Sequence, residues 1–241
     1  MRINQFIAHA GVCARRAAES LILQGKITIN EKIVTDLAYR VKPDDLVKYK
    51  NNILQIKKKY YILLYKPRKY VTTVHDPEQR ATVLDLVKLP YPTRIYPVGR
   101  LDYLTTGLLI LTNDGALTEY LSHPSHGILK TYEVRLNKPI LPKDLIQIKE
   151  GVLLEDGPVP IHALSQQEKN KVTLTIHIGR NRIIRRLFQH LGYHVTQLTR
   201  TKYAHLTLKG LTQGQWRYLT AQELKKLKNI SQKLLHKTEQ K

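Results

Sequence analysis

Residues 99–115 read G-R-L-D-Y-L-T-T-G-L-L-I-L-T-N-D-G, and the fold of the chain turns on this stretch. Leu108 to Leu111 form a continuous apolar run that predicts a buried strand, and Asn113-Asp114-Gly115 close it with turn chemistry. Just ahead of the strand stands Asp102, two residues after Arg100. An acid in that position is either a loop anchor held by a salt bridge or a group kept for chemistry, and the residues alone leave both readings open.

Working outward, the flanks alternate in the manner of half-buried strands. Tyr60 to Tyr65 predict a strand ended by Pro67, and Tyr96-Pro97-Val98 a second. Tyr132 and Val134 alternate with Thr131 and Glu133, and Val172, Leu174, Ile176 and Ile178 do so over seven residues. After Gly179 the period changes. Ile184, Leu187, Phe188 and Leu191 fall at i, i+3, i+4 and i+7, so a helix follows, with Gly192 placed to end it. Residues 60–222 are therefore expected to form a mixed, mainly antiparallel sheet flanked by helices.

The N-terminal part differs in texture. Phe6, Ile7, Ala10, Ala18, Leu21 and Ile22 are spaced for two short helices, with Gly11 as the break and Gly25 as the stop. Short strands follow at Ile27-Thr28-Ile29 and Ile33-Val34-Thr35, joined through Asn30-Glu31-Lys32, with Val41 to Lys50 as further extended chain. These make a small α+β unit over residues 1–55. Asn51-Asn52 and Lys57-Lys58-Lys59 mark a linker to the larger domain. From 223 to 241 the chain is expected to be a Lys-rich tail, so the whole belongs to the α+β class.

Charge narrows the partner. The 241 residues carry 40 Lys+Arg against 19 Asp+Glu, a net +21 spread along the whole chain, which calls for a polyanion. An anionic membrane surface would need a basic amphipathic helix with a strongly apolar face, and only the extreme C-terminus approaches that. No apolar run reaches the roughly 18 residues of a membrane span. The single cysteine, Cys13, excludes an internal disulfide and fits a reducing, cytoplasmic setting. His123 and His126 form an H-x-x-H pair without further ligands, so no metal is expected.

Two basic clusters suit phosphate binding, or a solvated face. Arg15 and Arg16 stand near a predicted helix start, whose dipole favours phosphate, with Lys26 close behind. Arg180, Arg182, Arg185 and Arg186 crowd a strand-to-helix junction, again a phosphate-binding pattern or a solvated face. Tyr132, taken alone, reads as a core tyrosine with a satisfied hydroxyl.

These motifs together resemble one family. G-R-L-D followed by T-x-G-L-L-x-L-T-N-D-G is similar to the catalytic motif of the RsuA/RluB family of ribosomal RNA pseudouridine synthases. Residues 123–125 (H-P-S), 130–132 (K-T-Y) and 179–186 (G-R-N-R-I-I-R-R) resemble further stretches of that family, as do Tyr65-Lys66-Pro67-Arg68 and residues 76–86, D-P-E-Q-R-A-T-V-L-D-L. Residues 2–50 look like the RNA-binding module named for ribosomal protein S-four. The chain departs from the pattern at Ala14, Leu104 and Ile183, where a serine, an aspartate and a glutamine are usual.

The resemblance implies an isomerase that turns a uridine of ribosomal RNA into pseudouridine. Asp102 would be the essential carboxylate, Tyr132 the ring that stacks on the target base, and Arg185 the cation paired with Asp102. It further implies that Arg15, Arg16, Lys26, Arg100, Arg180, Arg182 and Arg186 bind RNA. The overall form is nearest the RluB branch, which points to large-subunit RNA. No cofactor is required, because nothing is oxidised and nothing is transferred away. A monomer in the cytoplasm is expected. The competing reading is a non-catalytic RNA-binding or ribosome-assembly factor on the same fold, and the presence of Asp102, Tyr132 and Arg185 favours the enzyme.

Overall fold

Two short helices open the chain, α1 (Ile3–His9) and α2 (Arg15–Leu23), and Gly11 supplies the left-handed φ of +86° at the break between them. The computed structural model describes residues 1–91 and 93–238. Ala14 caps α2 through its backbone alone, so the first-turn amides receive no side-chain acceptor. The strands β1 (Ile27–Ile29), β2 (Lys32–Ile33), β3 (Val47–Tyr49) and β4 (Asn52–Ile53) make an antiparallel sheet in the order β2-β1-β3-β4. Asn30 and Glu31, both at positive φ, turn the first hairpin. Ile3, Ile7, Ala18, Ile22, Ile27, Ile29 and Val47 form the core. The predicted strand at 33–35 is shorter than its pattern, and only 47–49 of the extended 41–50 segment pairs, because little of either segment is buried.

This unit spans Met1–Lys59 with Leu89–Arg94; a second comprises Tyr60–Lys88 and Ile95–Lys241. In the second the elements run β5 (Tyr61–Lys66), β6 (Tyr96–Val98), β7 (Thr106–Thr112), α3 (Gly115–Ser122), β8 (Lys130–Leu136), α4 (Pro142–Glu150), β9 (Val152–Leu154) and β10 (Gly157–Val159). They continue with β11 (Ala163–Glu168), β12 (Lys171–Ile176), α5 (Ile183–His190), β13 (Val195–Tyr203), β14 (Leu206–Thr207), β15 (Trp216–Tyr218) and α6 (Ala221–Thr238). A nine-stranded sheet has the path β11-β12-β8-β13-β7-β5-β15, with β14 on β13 and β6 on β7, while β9 and β10 form a separate hairpin. Its strand pairs are antiparallel apart from β7–β13, which is parallel. The architecture is thus the mixed, mainly antiparallel α+β arrangement expected.

Every residue of β7 is buried, as a strand covered on both faces requires. Its Gly107 (φ +118°) lies so close to β13 that an added Cβ would sit 2.3 Å from the Arg200 carbonyl oxygen. Only glycine permits that approach. Asp114, read as turn chemistry, is the N-cap of α3, where its carboxylate accepts from the Leu117 amide and from the Tyr61 hydroxyl (2.8 Å). The segment set apart above as a tail from 223 begins as part of α6. Leu227 is fully buried against Leu63, Tyr120 and Tyr203 in the main core. Burying one leucine is worth about 1.5–3 kcal/mol, so this stretch contributes to folding. Residues 239–241 of that tail lie outside the described residues.

Candidate active site

Between β6 and β7 the chain carries Asp102 on a loop whose backbone is clamped from both sides. Lys66, fully buried at the end of β5, donates from Nζ to the carbonyl oxygens of Pro67 (3.0 Å), Asp102 (3.2 Å) and Thr105 (2.9 Å). Thr72 donates its hydroxyl to the Leu101 carbonyl at 2.7 Å and accepts from the Leu101 amide at 3.3 Å. Burial drives the Lys66 ammonium down to about 8, and the Asp102 charge opposes that fall. The loop is fixed by its main chain, so its side chain is left over. The half-buried Asp102 carboxylate accepts no hydrogen bond from the described residues.

That carboxylate borders a cleft of about 390 Å³, lined also by Arg100, Thr105, Lys130, Tyr132, Arg180, Arg182, Arg200 and Tyr203. The floor follows from strand register. Lys130 and Tyr132 are two apart on β8 and share a face; opposite them across the antiparallel pair stand Tyr203 and Arg200. Lys130 Nζ donates to the His177 carbonyl at 2.9 Å and lies 5.7 Å from the centre of the Tyr203 ring. Burial first, then the Arg200 cation, pushes Lys130 down to about 8. Tyr203 donates to the Leu121 carbonyl (2.6 Å), and burial holds its hydroxyl up to about 12.

Of the residues singled out in the sequence, Asp102, Tyr132, Arg100, Arg180 and Arg182 come together around the cleft. Arg185 lies on α5 and donates to the Val195 carbonyl at 2.9 Å. Burial and the cations Arg182 and Arg68 lower its pKa, and the Asp102 charge works against them. It therefore feels the carboxylate without touching it, and the expected ion pair is not formed. Arg186 is turned away from the cleft and pairs with Asp156 on the β9–β10 hairpin at 2.6 Å. Arg180 meets the same carboxylate at 3.1 Å and donates to the carbonyls of Asp156, Gly157 (3.0 Å) and Pro158. Arg186 above all holds the Asp156 carboxyl below the usual range. Arg15, Arg16 and Lys26 belong to the N-terminal unit and are exposed there, the first two in the opening turn of α2.

Sequence reasoning assigned no role to Lys66, Lys130, Tyr203 or Arg200. Lys66 and Lys130 sit inside quoted stretches, but nothing in their neighbours marks them as buried. Among the described residues no three His, Cys, Asp or Glu converge as metal ligands, and no helix is long and apolar enough to cross a membrane.

Asp102 and Tyr132 share one cleft with Arg100, Lys130, Arg180 and Arg182, a lining that suits a nucleotide of RNA. Comparison with known proteins gives the family. Residues 60–190 match RNA pseudouridylate synthase and residues 1–47 match the S4 domain, and the chain belongs to the RNA pseudouridylate synthase family. It is 43% identical over 237 residues to ribosomal large subunit pseudouridine synthase B of Bacillus subtilis (strain 168), covering 95% of this chain and 96% of that protein. The protein of the same name from Yersinia pestis is 35% identical over 227 residues, 89% of this chain and 71% of the relative. A crystal structure of a pseudouridylate synthase superposes with a TM-score of 0.68 at 31% identity, covering 94% of this chain and 99% of that one.

Proposed function

We propose that this chain converts a uridine of large-subunit ribosomal RNA into pseudouridine, as a monomer in the cytoplasm, with Asp102 as the catalytic carboxylate. The observation that carries the assignment of Asp102 is its clamped backbone and unpartnered side chain at the cleft. The reaction breaks the bond from ribose C1′ to uracil N1 and makes one from C1′ to C5 of the same ring. It demands an ionised carboxylate at the sugar, able to attack C1′ or to take the 2′ proton. Arg185, whose cation is favoured by the Asp102 charge, would be the basic residue facing that carboxylate once RNA is bound. The base must leave its stack at a cost of about a few kcal/mol, and the Tyr132 ring offers it a replacement surface.

Phosphates flanking the target would meet Arg100, Arg180 and Arg182, with Arg186 available once an RNA phosphate competes with Asp156. Residues 1–55 would serve as the RNA-binding domain through Arg15, Arg16 and Lys26, and 60–222 as the catalytic domain. The test uses unmodified large-subunit and small-subunit RNA transcripts labelled with tritium at uridine C5. Release by the wild type on the large-subunit transcript, and none by Asp102→Asn, is the expected result. RNA binding by both proteins without release from transcripts or from assembled subunits would turn the reading to a binding or assembly factor.

A further inference from the structure

Arg200 is the buried cation of the cleft for which the roles above find no use. It is 2% exposed, and its Nε donates to the Leu108 carbonyl at 2.8 Å. Its Nη2 is buried and has no hydrogen-bond partner among the described residues. No carboxylate among the described residues pairs with it. The guanidinium packs over the Tyr203 ring, 5.0 Å from its centre, and the residue lines the cleft directly opposite Tyr132 in the strand register. The backbone of Gly107 lies so close to that of Arg200 that no side chain fits between the two strands.

A buried guanidinium lacking both an anion and one hydrogen bond is costly, and folded proteins keep such groups where a ligand completes them. Arg182 and Arg100 are exposed at the rim and suit phosphate. Arg200 lies at the floor, beside the ring on which the base would rest. The isomerisation proposed above places an anion there. When the C1′–N1 bond breaks, its electron pair stays on N1 and spreads to the two uracil carbonyl oxygens. C1′ is held meanwhile as an ester of Asp102, or as a C1′–C2′ alkene after Asp102 takes the 2′ proton. The ring turns, and C5 bonds to C1′ as the ester bond breaks or the 2′ proton returns. C5 gives up its proton and N1 takes one, so no oxidant or co-reactant is needed.

We infer that Arg200 donates from Nη2 to a carbonyl oxygen of the target uracil and holds the detached base as an anion until C5 has replaced N1. A donor fixed in a dry site before charge develops is the arrangement that lowers a barrier most. The inference rests on the pseudouridine reading, and its test separates the two.

Arg200→Met and Arg200→Lys are compared with wild type in single-turnover tritium release from [5-³H]uridine large-subunit transcript at saturating protein. Arg200→Met is expected to lose about 100-fold in rate, the loss typical of removing one such donor, with RNA affinity unchanged and the lysine variant between. On transcript made with 5-fluorouridine, whose base leaves as a more stable anion, formation of the rearranged nucleotide by mass spectrometry should show a smaller gap. An unchanged rate, an equal gap on both RNAs, or a loss confined to RNA affinity would overturn the inference. A wild type that releases no tritium would instead overturn the pseudouridine reading. Should both variants fail to fold, a structure of Asp102→Asn with the shortest reactive RNA decides. Contact of Arg200 with a uracil oxygen supports the inference, and contact with phosphate or with nothing overturns it.

Discussion

The ammonium of Lys66 lies 3.2 Å from the carbonyl oxygen of Asp102, so a buried cation positions the loop that carries Asp102 through its main chain and leaves the carboxylate alone. Lys66→Met would strip the donor from the buried Thr105 carbonyl, worth about 1–3 kcal/mol when unsatisfied, and from the part-buried carbonyls of Pro67 and Asp102. Urea unfolding should show a loss of that order, and tritium release should fall while affinity for the RNA transcript holds, since Lys66 does not line the cleft.

Alkali should first strengthen the protein. Lys66 and Lys130 are held down to about 8 from an ordinary 10.5, so above pH 8 the unfolded chain retains protons that the folded one has lost. Unfolding free energy then rises with pH. Cys13, whose thiol burial pushes up, acts oppositely but alone; above pH 10 so does Tyr203, held at about 12. Urea midpoints taken from pH 7.5 to 11 should climb and then fall near 10, and Lys66→Met should flatten the climb.

Cations at the cleft should differ in their effect on RNA. Arg182 is exposed and has no acidic partner among the described residues, whereas Arg186 is tied to Asp156. Arg182→Ala is expected to lower the salt slope of RNA binding by about one, and Arg186→Ala by less. Asp156→Asn should tighten binding at low salt. Filter-binding titrations across a salt series check all three.

Helix α6 begins in a capping box. Thr220 donates its amide to Glu223 Oε2 at 2.9 Å, the Glu223 amide returns to Thr220 Oγ1 at 3.2 Å, and Arg217 holds the same carboxylate with two 2.7 Å bonds. These bonds, Arg217 first, depress Glu223 to about 2. Its contribution is complete above the unfolded value of 4.5 and is lost as pH falls toward 2. Thr220→Ala should cost about 1 kcal/mol at neutral pH, read from the thermal midpoint. Glu223→Gln should weaken the acid dependence between pH 4.5 and 2.

Much of this was legible in the sequence. The apolar run at Leu108–Leu111, the helical spacing after Gly179 and the paired helices before Gly25 each obey a simple period, and the structure has an element at each. Asp102 and Tyr132 were legible through their motifs. Strand β13 was not, because its sequence from Val195 to Tyr203 is largely polar. Thr199 is buried there by a 2.8 Å bond to Thr106, and Arg200 by a carbonyl 92 positions away. Lys66 was hidden for the same reason, its acceptor Asp102 lying 36 positions on. Periodicity registers burial by water exclusion and misses burial by distant hydrogen bonds. The Arg185–Asp102 pair was expected from likeness, and here the guanidinium prefers the Val195 carbonyl.

Strand β13 sits in the middle of the sheet yet is synthesised near the end of the chain, and its parallel neighbour β7 is made almost a hundred residues earlier. During translation β7 has β5 and β6 beside it from the start, and only its Thr106–Gly107 end waits for β13. A polypeptide interrupted before Arg200 would lack Arg200 and Tyr203, the two residues that stand opposite Tyr132 and Lys130 on the cleft floor. The cleft is thus assembled from strands made some seventy residues apart, and its floor is complete only when β13 has joined β8.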